Sequence, residues 1–146
     1  MNILSIDVAV SKDIAYVGLS NNRLEYFGKI KKLTDLPNIM VFKRLDAVIT
    51  EDMYLGKNVD ILKRLCYVVG GILYICETHY VECRLIAPST WQSHHGLLKK
   101  PAGLRRKIED TIIATVTNET IEDDDIRAAI LMGLCHIEQM KIKEEL

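Results

Sequence analysis

The chain of 146 residues lacks an excess of either charge: 19 Lys and Arg stand against 20 Asp and Glu, a formal net charge of −1. Proteins that bind polyphosphates usually carry a basic excess, so the total alone argues against a nucleic-acid partner. Paired cysteines are missing too. Cys66, Cys76, Cys83 and Cys135 form no CxxC pair and no short Cys/His ligand spacing, which argues against a structural zinc site. They sit in apolar stretches such as Leu65-Cys66-Tyr67-Val68 and are expected to be buried free thiols in a reducing compartment. No apolar run approaches the ~18 residues of a membrane span, and the N-terminal residues lack the cationic flank and small-residue cleavage site of a signal peptide. Repeats, low-complexity tracts and linkers are absent as well. The expectation is a cytoplasmic protein with no membrane partner, built as one domain over residues 1–146. With 49% hydrophobic and 27% charged residues, it can bury one core without disulfides.

What is present is a change of period along the chain. Asn2 to Val10 is nearly all apolar and reads as a central strand covered on both faces. Ile14 to Leu19 and Leu24 to Ile30, joined by the turn Ser20-Asn21-Asn22-Arg23, complete a meander. A short apolar patch, Ile39 to Phe42, precedes a further strand over Asp46 to Thr50. Then Val59, Leu62, Leu65, Cys66, Val69, Ile72, Leu73 and Cys76 recur at spacings of three and four, the pattern of a long amphipathic helix. Gly70 and Gly71 inside it predict a break or a close approach of another backbone. Val81 to Ala87 reads as a strand, and Pro88-Ser89-Thr90 as a turn into a helix cap. Lys99 to Gly103 reads as a loop, and Leu104 to about Val116 and Glu122 onward as helices. This order predicts an α/β fold with a mixed sheet.

Carboxylates interrupt this pattern at telling places. Asp7 stands in an apolar strand, where an unpaired carboxylate is costly unless something compensates it. Glu51 repeats the arrangement, closing the run Ala47-Val48-Ile49-Thr50 just before a helix. In an open α/β sheet the C-terminal strand ends form the ligand crevice. Two like charges brought together there call for a cation, and oxygen-only ligands favour Mg²⁺ or Mn²⁺. A third acidic feature, Glu122-Asp123-Asp124-Asp125, opens the last helix. Capping and the helix dipole account for such a run, and only its combination with Asp7 and Glu51 suggests metal ligation.

Taken together these motifs resemble the RuvC-type Holliday junction resolvases, from Asn2 to about His136. Ile3-Leu4-Ser5-Ile6-Asp7 is similar to the family's first strand with its metal-binding aspartate. Ile49-Thr50-Glu51-Asp52-Met53-Tyr54-Leu55-Gly56-Lys57-Asn58 resembles its glutamate motif. Ala87-Pro88-Ser89-Thr90-Trp91 resembles the segment after the fifth strand. Gly96-Leu97-Leu98-Lys99-Lys100 and Arg105-Arg106-Lys107 resemble the region that approaches the DNA backbone. The resemblance implies a ribonuclease H-like fold, a five-stranded mixed sheet flanked by helices. It also implies a Mg²⁺-dependent endonuclease (Mn²⁺ substituting) acting on four-way junctions and other branched DNA, with Asp7, Glu51 and Asp125 holding the ions and 5′-phosphate ends as product.

One departure matters. The family's last motif carries two aspartates three residues apart, the second followed by alanine and an apolar run. Asp125-Ile126-Arg127-Ala128-Ala129-Ile130-Leu131 places alanine at the second position. A shifted register, Glu122 with Asp125, fits the following residues less well. Ala128 is therefore the site of an expected catalytic carboxylate, lost by engineered substitution or natural divergence, and the chain as it stands should bind better than it cuts.

The remaining expectations concern contacts. Tyr54 is expected to stack on a base at the junction centre, or else to pack at the helix start. Lys57, Lys99, Lys100, Arg105, Arg106 and Lys107 are the expected phosphate contacts, five of them within residues 99–107. His94 and His95 read as an exposed loop pair outside the catalytic set, and Trp91 as a packing residue. The resemblance implies a homodimer, with the helix from about Asn58 to Cys76 as its interface. A phage or other mobile-element source would place the protein in a bacterial host cytoplasm. Competing readings are a non-catalytic branched-DNA-binding protein and a related nuclease acting on structured RNA. Near-neutral total charge is then an acidic metal crevice beside a basic rim.

Overall fold

A computed structural model describes residues 1–42, 44–53 and 58–146. Five strands, β1 (Asn2–Asp7), β2 (Ile14–Ser20), β3 (Arg23–Ile30), β4 (Ala47–Glu51) and β5 (Cys83–Ile86), form one sheet in the order β3-β2-β1-β4-β5. The pairs β1–β2 and β2–β3 are antiparallel, whereas β1–β4 and β4–β5 are parallel. Helices α1 (Leu36–Met40), α2 (Val59–Thr78), α3 (Pro88–His94), α4 (Ala102–Ile113) and α5 (Asp124–Glu145) fill the connections. The expected α/β class, mixed five-stranded sheet and element order are all found.

Because β1 is central it is covered on both faces, and its residues alternate between two cores. Ile3 joins the cluster beneath α3, α4 and α5, while Leu4 and Ile6 join the cluster beneath α1 and α2. Ala47 and Ile49 of β4 take the α5 face and Val48 the other. The period of two therefore sends both Asp7 and Glu51 to the face that α5 covers. Helix α5 comes close to β1 because two small residues meet there. A Cβ built on Gly133 would lie 3.1 Å from Cβ of Ser5 and 2.7 Å from Cδ1 of Leu19.

Several boundaries move for physical reasons. The strand expected to reach Val10 stops at Asp7, whose partner Ala15 closes the β1–β2 ladder; the residues between return the chain into β2. The β2–β3 hairpin turns on Asn21 and Asn22, at φ 52 and 62, the positive values that a two-residue type I′ loop requires and asparagine tolerates. Pro88-Ser89-Thr90 is helix rather than turn: Pro88 takes the first position of α3, where a missing N–H costs nothing. The strand expected over Val81 to Ala87 shortens to β5. Helix α2 runs unbroken through Gly70 and Gly71, and Gly71 gives room to Leu33, whose Cδ1 would lie 2.6 Å from an added Cβ. The thiols are free, but only Cys76 and Cys135 are buried; Cys66 is exposed on α2 and Cys83 half-buried. Among the described residues, no helix is long and apolar enough to cross a membrane.

Candidate active site

Asp7 and Glu51 end neighbouring parallel strands, and the ladder pairs the residues just before them, Ile6 with Thr50. Asp125 enters from the first turn of α5. Asp7 stands between the other two, hydrogen-bonded with Asp125 and near enough to Glu51 to feel its charge, although the three do not gather their oxygens within 4.8 Å of one another. Burial first, then the charges of Glu51 and Asp125 and a hydrogen bond with Asp125, push its carboxyl from 3.8 up to about 7, against a smaller opposing pull from Lys12. Glu51 is also raised, chiefly by burial. Trp91 acts against that shift, its Nε1–H donating to Oε2 of Glu51 at 3.2 Å. Trp91 is thus the packing residue expected, buried on α3, and it also fixes the glutamate.

The acidic run before α5 divides into separate tasks. Asp123 is the N-cap, accepting from the amides of Asp125 (2.9 Å) and Ile126 (3.0 Å). Its carboxyl is held below the ordinary value by the hydrogen bond from Lys29. Asp124 and Glu122 turn away to Arg106, at 2.8 and 3.3 Å. Glu122 precedes the helix, so the shifted Glu122–Asp125 register does not make a pair on one helical face. Asp125 alone of the run faces Asp7. Ala128 follows it by three residues, hence on the same side of α5. It lines a groove of about 400 Å³ with Trp91, Arg105, Arg106, Glu109 and Asp124. A carboxylate at 128 would project beside the tryptophan that holds Glu51.

Two ammonium groups oppose this negative charge. Lys12 bonds Asp125 at 2.8 Å, and Lys29 bonds Asp123 at 2.7 Å and approaches Asp125 at 3.6 Å. Both lysines have their proton affinity raised by these bonds. Their presence, together with the raised Asp7, marks a crevice whose carboxylates repel one another and recruit cations. All three donors are hard oxygens, the ligand set that Mg²⁺ or Mn²⁺ accepts, so the residues fit such an ion.

The expected phosphate contacts fall into two groups. Lys99, Lys100 and Lys107 are exposed and carry no ion pair among the described residues. Arg105 is bound to Glu109 at 3.2 Å, and Arg106 to the acidic run as above. Tyr54 and Lys57 lie outside the described residues. His94 is not in a loop: it is the last residue of α3, and His95 is its C-cap. Sequence reasoning passed over Lys12 and Lys29, and also Arg127. The latter is buried between α4 and α5, bonded to Glu109 (3.2 Å), Asp110 (2.8 Å) and the carbonyl of Ile121 (3.0 Å). The signal available for it was an arginine inside an apolar helix opposite the acidic pair Glu109-Asp110.

Comparison with solved structures is decisive for the fold. The chain superposes on Thermus thermophilus RuvC in complex with a Holliday junction substrate with a TM-score of 0.80, covering 97% of this chain and 96% of that one, at 11% identity. The fold is that of the RuvC-type resolvases. Thermus thermophilus RuvC in another structure gives 0.80 over 98% and 97% of the two chains at 12% identity. The fowlpox virus resolvase complexed with Holliday junction DNA gives 0.66 over 96% and 99% at 18% identity. The sequence matches no protein-family model and no curated protein.

Proposed function

We propose that the chain is a structure-selective DNA endonuclease for four-way junctions and related branched DNA, using a Mg²⁺ site held by Asp7, Glu51 and Asp125. The observation that carries this reading is the convergence of the three carboxylates at adjacent strand ends and a helix start, on a RuvC-type fold. That two proteins of this fold are bound to Holliday junction DNA supports the choice of substrate. Mg²⁺, when bound, would lower the pKa of an attacking water and stabilise the leaving 3′-oxygen. The protein's own part is positional. Trp91 holds Glu51 by its indole N–H, the Asp123 cap fixes the first turn of α5 and so Asp125, and Lys12 and Lys29 hold the Asp125 carboxylate that would otherwise be free for an ion. Lys99, Lys100 and Lys107, which carry no ion pair among the described residues, offer their charge to the DNA backbone, with Lys57 and a stacking role for Tyr54 completing the interface.

A two-fold substrate suits a homodimer, and α2 supports one. Tyr67 and Tyr74 are 71% and 69% exposed along a stripe that includes Leu73 and Gly70, and a Cβ on Gly70 would meet nothing within 4 Å. A dimer at micromolar concentration, measured by light scattering, is the expected state, and a strict monomer contradicts it.

A second reading, junction binding without cleavage, is favoured by Ala128 and by the lysines seated on Asp125. Binding is tested first, with a labelled four-way junction in the presence of unlabelled junction, duplex or structured RNA. Both readings expect only the junction to compete at equal nucleotide concentration. Equal competition by duplex contradicts both, and stronger competition by RNA transfers the site to an RNA substrate.

A further inference from the structure

We propose that His94, His95 and Glu138 form a second cation site, selective for a divalent ion of the zinc class, that ties the end of α3 to α5. One donor atom of each residue lies within 4.8 Å of those of the other two, and among the described residues this is the one such cluster of three. Ligands of one tetrahedral zinc, each at ~2.0–2.1 Å, stand roughly 3.4 Å apart. Closing that gap falls to torsions of the half-exposed Glu138 and the partly exposed His94, the two side chains with room to turn.

The imidazoles are held in advance. Helix α3 ends in a Schellman motif: Gly96 takes φ 70, Leu97 N–H donates to Gln92 (2.8 Å) and Gly96 N–H to Ser93 (3.0 Å). Buried Leu97 then locks the turn, so His94 and His95 leave the helix in fixed directions. His95 Nε2 lies 2.6 Å from the Leu131 carbonyl. A carbonyl only accepts, so Nε2 carries the proton and Nδ1 keeps the lone pair of a neutral ring. Hydrogen bonding of one ring nitrogen to a carbonyl, leaving the other for the ion, is how metal-bound histidines are usually oriented. Burial lowers the proton affinity of His95, which also favours the neutral form. His94 Nε2 contacts the Glu138 carboxylate, so both already present a donor atom to the same point.

The two sites are distinct in place and in preference. Glu138 follows Asp125 by thirteen residues of α5, about 20 Å at 1.5 Å per residue. Two imidazoles and one carboxylate suit Zn²⁺, Co²⁺ or Ni²⁺, whereas the all-carboxylate crevice suits Mg²⁺. Because α3 also carries Trp91, an ion at its far end would stiffen the element that holds Glu51.

Titration of the full chain with Co²⁺, followed by visible absorption, tests this directly, with Zn²⁺ thermal shift as the second measurement. The expected result is one equivalent bound, displaced by Zn²⁺. Zn²⁺ at about 100 times its Kd should raise Tm by roughly 5–10 °C. Glu138→Gln, at an exposed position that leaves the fold intact, and His95→Ala should each weaken binding more than about 10-fold. Asp7→Asn should leave it unchanged. Absence of saturable binding, binding that survives Glu138→Gln and His95→Ala, or binding lost only in Asp7→Asn overturns the proposal.

Discussion

Asp7→Asn should make the metal-free protein more stable while removing its response to Mg²⁺. The native carboxyl binds its proton at about 7 rather than 3.8, so between those values the folded state holds more protons than the unfolded one. Stability therefore falls as pH rises through this window, and the full cost is present above about pH 7. The difference amounts to roughly 4 kcal/mol at about 1.4 kcal/mol per pH unit, an upper figure because solvent and Lys12 relax around the charge. Asparagine keeps the shape and removes the charge. Urea denaturation in EDTA should give an advantage to the variant that grows by about 2–3 kcal/mol between pH 5 and pH 8. Adding Mg²⁺ at pH 8 should restore the parent protein and leave the variant unmoved. An advantage independent of pH, or a variant less stable than the parent at pH 8, would refute the claim that a buried carboxylate crowded by Glu51 and Asp125 is kept here for a cation.

Other consequences follow from the packing and the rim. Arg127→Ala removes the buried partner of Glu109, which keeps Arg105, and of the exposed Asp110, and should cost about 1–3 kcal/mol by urea denaturation; a loss below about 0.5 kcal/mol would show the network to be dispensable. Gly133→Val drives a side chain into Ser5 and Leu19, and should cost about 1–3 kcal/mol while loosening the helix that carries Asp125. Unchanged stability would mean that α5 is not held close to β1. Lys99→Ala and Lys100→Ala should each lower the slope of log K against log salt for junction binding by about 0.9, with little change in preference among branched DNAs. Slopes equal to the parent's would remove these lysines from the interface.

How far the site was legible in the residues differs from one group to the next. Asp7 and Glu51 are legible because one interrupts and the other closes an apolar run, and a charge there demands compensation wherever the strands lie. Their sharing of one sheet face follows from the period of two only once β1 and β4 are known to be neighbours, in the register that pairs Ile6 with Thr50. Among four consecutive acids, only the family resemblance singles out Asp125. In the fold Asp123 takes the cap, and Asp124 and Glu122 pair with Arg106. The opposing cations were invisible because Lys12 lies in a loop and Lys29 on β3, about a hundred residues before Asp125, with nothing in the local pattern to set them apart. The same holds for Glu138 with the two histidines and for the hold of Trp91 on Glu51. Element ends shifted where tertiary pairing overrode local propensity, as at Asp7, or where proline opened a helix, as at Pro88.

Cleavage of a labelled four-way junction in Mg²⁺, by the chain as it stands beside Ala128→Asp, tests the central claim most directly. The groove beside Trp91 has room for the carboxylate, so the substitution should raise the rate of paired nicking at least about 10-fold, and Asp7→Asn added to it should abolish cutting. Junction binding with no cleavage by either protein would contradict the account of a metal-dependent nuclease and leave a branched-DNA-binding protein in its place.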